Sequence, residues 1–417
     1  MKKNEIKRIL LLTPIYPGDG VQKSSTPVVH YFAREWVKND IDVKVIHFPS
    51  NFPFILNFIG RLFRDIISSL AGSEIRTNSL LESKYEMDNV NVYRIPLYKI
   101  MPHGRYEKKE ILKAIDKTIK YCESQNFKPD VIVSHWVNPQ LEIMYNLKRY
   151  YGVPSCYVAH DIGYDLKTIY KKEATKFINE VDLIGYRSDA IKRKFESNFN
   201  CQSKPNFYCL SGIPSKYIEK TIERNISNRN TLLFVGTLIK RKYPKLLISA
   251  AKKTYIDEEF KITYVGLGNE EKNIRKEAVK LGVEDNVHLK GRLKRDEIVN
   301  IMDTHTIFVM ISKNETFGLV YLEAMARGCI TIASRNEGFD GIIVDGFNGF
   351  LCAAGDVDEL SSILNRIKCM SQIELQTISN NAVKTAKKLT DEKVAMDYIN
   401  ELQSINIRNS KIQDQNT

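Results

Sequence analysis

The sequence predicts an α/β protein made of two doubly wound domains, and three observations point there. The length, 417 residues, exceeds what one hydrophobic core fills. Between residues 8 and 48 a buried-type strand, a loop, an amphipathic helix and a second strand follow one another. Far downstream, Thr306–Ile311 (TIFVMI) is an unbroken apolar run that leads through a tight turn into Leu319–Arg327, a stretch of good helix formers without Pro or Gly.

In chain order, Arg8–Thr13 (RILLLT) reads as the first strand and Pro14–Gly20 as a loop. Pro27–Lys38 reads as a helix with Val28, Tyr31, Phe32, Ala33 and Trp36 apolar, and Asp42–Phe48 as the next strand. Ligands in such sheets sit in loops at the carboxyl ends of strands, which makes the loop carrying Gly18, Gly20 and Lys23 a candidate site. Pro53–Leu70 has a wide apolar face flanked by Arg61 and Arg64. That pattern suits insertion at an anionic membrane surface, and equally a helix packed on the sheet or lining a cleft, the commoner use. Strands are expected at Val90–Pro96, Asp130–Ser134, Pro154–Ala159 and Phe177–Tyr186, with helices at Lys108–Ser124 and Ser188–Phe199. His135 and His160 each stand just past a strand end.

Asn206–Pro214 enters the second half, with Gly212 as its turn. Strands follow at Thr231–Val235, Phe260–Val265, Val287–Leu289 and Ile330–Ser334. Helices follow at Pro244–Ala251, Glu270–Leu281, Arg295–Met302, Asp356–Lys368, Gln372–Lys388 and Asp391–Ile405, and polar Ile407–Thr417 is expected to fray. The divisions expected are 1–211, 212–388 and a carboxyl-terminal helix with its tail at 389–417.

Composition narrows the function. Hydrophobic residues at 43% and charged ones at 27% suit a soluble globular enzyme. A net charge of +12 favours anionic partners such as nucleotide diphosphates or phospholipid surfaces, and no nucleic-acid module accompanies it. The seven Cys are odd in number and never spaced C-x-x-C, as in reduced cytoplasmic proteins without a zinc site. The apolar run after the basic start stops at Pro14, too short for a secretion signal, and no stretch is long enough to span a bilayer. The expected location is cytoplasmic, or peripheral at the inner face of the plasma membrane.

The chemistry concentrates at residues 312–328, SKNETFGLVYLEAMARG. A helix beginning at Gly318 presents amides that have no partner inside the helix and carry partial positive charge, a place for phosphate. Glu315 stands just before that helix and Glu323 on its second turn, both able to accept hydrogen bonds from hydroxyls beside a phosphate.

E-x-F-G-L-x-x-L-E-A-M-A resembles the signature of retaining, nucleotide-sugar-dependent glycosyltransferases of the GT-B fold, family 4, the type found in bacterial capsule, exopolysaccharide and cell-wall synthesis. The resemblance covers nearly the whole chain and is strongest from residue 206 to 350. It implies two Rossmann-like domains facing a cleft, acceptor on the first and donor on the second. It implies that Glu323 binds the ribose hydroxyls, that Glu315 contacts the donor sugar near its anomeric carbon, and that the Phe317–Gly318–Leu319 backbone approaches the diphosphate. AHDIGYD resembles the family's H-G-S-D-like segment, which places His160 beside the transferred sugar, with Asp161 or Asp165 as the acidic member. The loop from Gly236 resembles G-R-L-x-x-x-K-G: Lys242 falls on the Lys that neutralises the diphosphate, Thr237 stands in the Arg position, and Arg241 is near enough to substitute. Gly266 and backbone near Arg292 are implied beside the nucleotide, and Gly18 and Gly20 beside donor phosphate or acceptor.

The reaction implied is transfer of a sugar from a nucleotide-diphosphate sugar to a sugar or lipid-linked oligosaccharide acceptor, with catalytic His160, Glu315 and Lys242 and the anomeric configuration kept. Cationic loops are expected in place of a metal, so neither metal nor other cofactor is expected. The alternatives are a GT-B-like sugar-nucleotide epimerase and a non-catalytic binding protein. A dinucleotide oxidoreductase would need G-x-G-x-x-G after the first strand, which the first loop lacks.

Overall fold

The computed structural model describes residues 5–21, 27–55, 78–101, 104–161, 166–219, 226 and 228–415, with side chains as far as Ile405. Lys23, Asp165 and residues 56–70 of the Pro53–Leu70 segment lie outside the described residues.

The first sheet has eight strands in the order Asn206–Tyr208, Leu183–Tyr186, Ser155–Ala159, Val131–His135, Arg8–Thr13, Asp42–His47, Val90–Arg94, Ser83–Met87. All neighbours run parallel except the last pair. Alternation along one strand explains why the central strands read as unbroken apolar runs. Leu10 and Leu12 join Ile132, Leu141 and Tyr157 in one core, whereas Ile9 and Leu11 join Phe32, Trp36 and Val43 in the other. Helices on both faces complete the doubly wound layering.

The second sheet has six parallel strands in the order Val287–Leu289, Lys261–Val265, Thr231–Val235, Ile307–Val309, Ile330–Ser334, Phe350–Cys352, around a core of its own. Its winding reverses between Thr231–Val235 and Ile307–Val309. The loops after those two strands therefore diverge and leave a crevice, where open sheets of this kind bind ligands.

The chain crosses between the halves twice, side by side. Ile213 and Thr390 form a parallel bridge. A Cβ on Gly212 would stand 2.4 Å from the Asp391 nitrogen, so the two crossings touch only because that position has no side chain. The helix Asp391–Gln415 then packs on the first sheet. Its Tyr398 ring meets Phe32 and Trp36 edge-on at 5.3 and 5.0 Å, and Trp36 Nε1 donates to the Ala395 carbonyl at 2.9 Å.

Three expectations need correction. Phe177–Tyr186 is not one strand: Lys172–Asn179 is a helix that buries Ala174, Phe177 and Ile178 on one face, and the strand is Leu183–Tyr186. A strand at Ser83–Met87 was not foreseen; it pairs antiparallel with Val90–Arg94 through the two-residue turn Asp88-Asn89, both with positive φ (50° and 61°). The terminal helix runs to Gln415 rather than fraying from Ile407.

Candidate active site

Strand Ile307–Val309 ends in a loop that reaches Gly318, and Leu319–Ala326 is helical. Gly318 sits at φ 88°, and a Cβ there would lie 2.4 Å from the Tyr321 ring and 3.3 Å from Glu315 Cγ. No side chain caps the helix start, and its first turn holds no acid, so the amides after Gly318 keep their positive field.

Glu315 is the meeting point of the crevice. Its Oε2 lies 3.6 Å from Lys242 Nζ and 3.6 Å from Arg241 Nη1, and it accepts from Ser312 Oγ at 3.3 Å. Lys242 and Arg241 belong to the short 3-10 turn Lys240–Lys242, which follows strand Thr231–Val235 on the other side of the reversal. Main chain braces the two loops: Lys313 N–H donates to the Arg241 carbonyl at 2.8 Å, and Arg241 Nη1 points back to the carbonyls of Lys313 and Asn314. Thr237 is exposed at the head of the same loop.

A third loop fixes the first. Glu337 Oε2 accepts the Glu315 N–H at 2.9 Å, and a Cβ on Gly338 would stand 2.5 Å from both the Phe317 nitrogen and the Thr316 carbonyl carbon. Only bare backbone fits between them.

Glu323 is buried and is not free. Arg295 Nε donates to its Oε1 at 2.8 Å, Nη2 lies 2.7 Å from the same oxygen, and Arg295 Nη1 donates to Tyr31 of the first half at 3.1 Å. Burial raises the Glu323 carboxyl above its ordinary value while Arg295 opposes that rise. Oε2 has no partner among the described residues and remains available to hydroxyls. Arg295 escaped the sequence reading because nothing local marks the partner of a buried carboxylate. Beside this pair a cavity of about 500 Å³ opens between the halves, lined by Tyr31, Arg34, Tyr217, Arg295 and Asp391. Glu315 and Lys242 are not among its walls.

Across the cleft, the His160 peptide carbonyl accepts from Thr316 Oγ1 at 3.3 Å. The His160 ring stacks on Trp136 at 3.8 Å, and its Nε2 lies 2.9 Å from His135 Nδ1. Burial first, then the neighbouring Arg187, pushes His135 well below the ordinary imidazole value; burial, His135 and Arg187 do the same to His160. Both shifts favour the neutral ring. His135 is completely buried as its partner.

The remaining predicted positions lie around this crevice or away from it. Gly236 backs onto Lys242, with 3.1 Å from its would-be Cβ to Nζ, and donates its N–H to the Val265 carbonyl. Gly266 touches the Gly236 carbonyl and donates to Gly291, one residue before exposed Arg292. Gly18 packs on Arg94 and Tyr85, and Gly20 on Leu80. The described geometry places neither of these two against Glu315.

Residues 217–385 match the family model of glycosyl transferases group 1. An uncharacterized glycosyltransferase of Methanocaldococcus jannaschii is 26% identical over 76% of this chain and 86% of its own. The chain is a GT-B glycosyltransferase. A GDP-mannose-dependent mannosyltransferase of Corynebacterium glutamicum, named for monoacylated phosphatidylinositol monomannoside, is 30% identical over 49% of this glycosyltransferase and 58% of its own length. Among solved structures, Anabaena HepE in complex with UDP superposes with a TM-score of 0.68 at 18% identity, covering 95% of this glycosyltransferase and all of HepE. The lipopolysaccharide outer core galactosyltransferase WaaB superposes with 0.66 at 16% identity, over 95% and 99%.

Proposed function

We propose that this glycosyltransferase moves a sugar from a nucleotide-diphosphate sugar to an acceptor hydroxyl with retention of configuration, as a family 4 enzyme of bacterial surface polysaccharide synthesis. The observation that carries the reading is Glu315, bracketed by Lys242 and Arg241 at the uncapped start of helix Leu319–Ala326. The diphosphate lies against the amides after Phe317 with Lys242 and Arg241 beside it. Charge builds on the departing phosphate, and cations fixed in advance lower that barrier. Glu315 accepts hydroxyls of the donor sugar and steadies positive charge at its anomeric carbon. Glu323 Oε2 takes the ribose, neutral His160 orients a sugar hydroxyl, and Gly236, Gly266 and Arg292 border the nucleotide. The leaving phosphate oxygen removes the acceptor proton on the same face, so no side-chain nucleophile is needed.

Support for the acceptor class comes from the relatives named for a phosphatidylinositol mannoside and for lipopolysaccharide core, together with the +12 net charge. Among the described residues no helix is long and apolar enough to cross a membrane. We place the enzyme at the cytoplasmic face of the membrane, with residues 53–70 touching anionic lipid. Phe58→Glu with Phe63→Glu is then expected to abolish binding to anionic vesicles; undiminished binding removes the membrane from the reading.

The direct test is a thermal-shift screen of nucleoside diphosphates and their sugars. A ligand at a hundred times its dissociation constant adds about 2.7 kcal/mol of stability. Absence of any shift, or turnover left intact by Glu323→Ala, overturns the assignment.

A further inference from the structure

The oddest charge in the molecule is Arg187. It follows strand Leu183–Tyr186 in the first half and is 2% exposed, with no carboxylate partner among the described residues. Its guanidinium donates to neutral acceptors of the crossing segment, the Cys209 carbonyl and Ser211 Oγ, with the Cys209 sulfur 3.8 Å away, and Nε has no partner among the described residues. A buried cation without an anion is strongly disfavoured. Of the titratable groups around it, burial pushes the Cys209 thiol and the Tyr398 hydroxyl up and His135 and His160 down, so none of them supplies an anion. The guanidinium lies 5.5 Å from the centre of the Phe317 ring, and Phe317 belongs to the loop that delivers the uncapped helix amides.

We infer that Arg187 is an electrostatic positioning residue for the donor diphosphate, a cation contributed by the first half through Phe317. This rests on the reading of a nucleotide-sugar donor. Arg187 does not touch the phosphates; its field, little screened in a buried setting, acts on them across the Phe317 ring. Binding of a diphosphate supplies the anion that Arg187 lacks among the described residues, and the same attraction draws the two halves together over the donor.

The test is calorimetric titration of the full chain with UDP and uridine, and with GDP and guanosine. Arg187→Met is expected to weaken the diphosphate tenfold or more while leaving the nucleoside within twofold. Arg187→Lys, which keeps the charge but loses the fork to Cys209 and Ser211, is expected to retain diphosphate affinity within about threefold. An equal loss for nucleoside and diphosphate, or no loss, assigns Arg187 to the crossing segment alone and overturns the inference. If Arg187→Met fails to fold, the Lys variant decides: a tenfold loss despite the retained charge overturns it. Failure of the wild-type protein to bind either diphosphate tells instead against the nucleotide-sugar reading.

Discussion

Lys242 and Glu315 make one salt-bridged contact, and on the proposed reading the donor inserts between them and the helix amides. Removing Lys242 leaves the diphosphate without its nearest ammonium. A charged hydrogen bond is worth about 1.5–3 kcal/mol, so Lys242→Met is expected to weaken nucleoside diphosphate binding by about ten- to a hundredfold, measured by titration. The Arg295–Glu323 pair behaves differently because the acid is buried. Arg295→Met strands a carboxylate, and the loss expected in urea denaturation is about 3 kcal/mol, the lower end for such pairs because Arg295 is partly exposed. The sign with pH follows. A carboxyl whose folded value is raised favours the folded state at low pH and loses that advantage as pH rises through the raised value. The variant should therefore be weaker at pH 8 than at pH 5 by more than the wild type is. Glu315, Glu323, Lys242 and His160 were named from the sequence because each falls on a motif of the resembling family. Arg295 and Glu337 were not, since a partner across space leaves no mark in the local pattern.

Among elements, the strand–turn–helix around Gly318 was readable to within a residue or two, because a short apolar run and a glycine declare a buried strand and its exit. What clamps that turn was not. The loop at residues 336–338 presses on it through Glu337 and Gly338, and it also receives a hydrogen bond from Arg193 of helix Asp189–Phe199 in the first half. Gly338→Ala is expected to push the Thr316–Phe317 backbone away. A stability loss of about 1–3 kcal/mol, typical of overpacking, should accompany a raised donor KM, and an unchanged KM would mean the loop is not the donor cradle. The misread Phe177–Tyr186 segment has an equally local cause. Ala174, Phe177 and Ile178 repeat at helical spacing, but the apolar residues that follow blur the boundary with the strand. The missed hairpin did carry its signal in Asp88-Asn89, a pair that tolerates the positive φ of a two-residue turn.

For the whole molecule, the double crossing at Ile213 and Thr390 is where the halves are joined and where they would hinge. Asp391 sits there, 2% exposed, with Oδ2 3.2 Å from Arg34 Nη2 and Oδ1 unpartnered. Burial outweighs Arg34 and Arg295 and pushes its carboxyl up to about 6 from 3.8. The folded state therefore binds a proton that the unfolded state releases. The resulting stabilisation, at most about 3 kcal/mol, is complete below pH 4 and lost as pH rises through 6. Urea denaturation from pH 4 to 7 should show this slope in the wild type and not in Asp391→Asn; equal slopes would refute it.

The sequence by itself determined the two doubly wound halves, the order of nearly all their strands and helices along the chain, and which residues stand at the strand ends. It could do so because burial on both faces of a sheet imposes unbroken apolar runs, and tight exits demand glycine. Tertiary structure alone decided which buried charges meet, with Arg295 on Glu323, Glu337 on the Glu315 amide and Arg187 without an anion among the described residues. Those contacts join residues far apart in the chain, and the energy of a buried charge depends on everything around it, which no neighbouring residue in the sequence records.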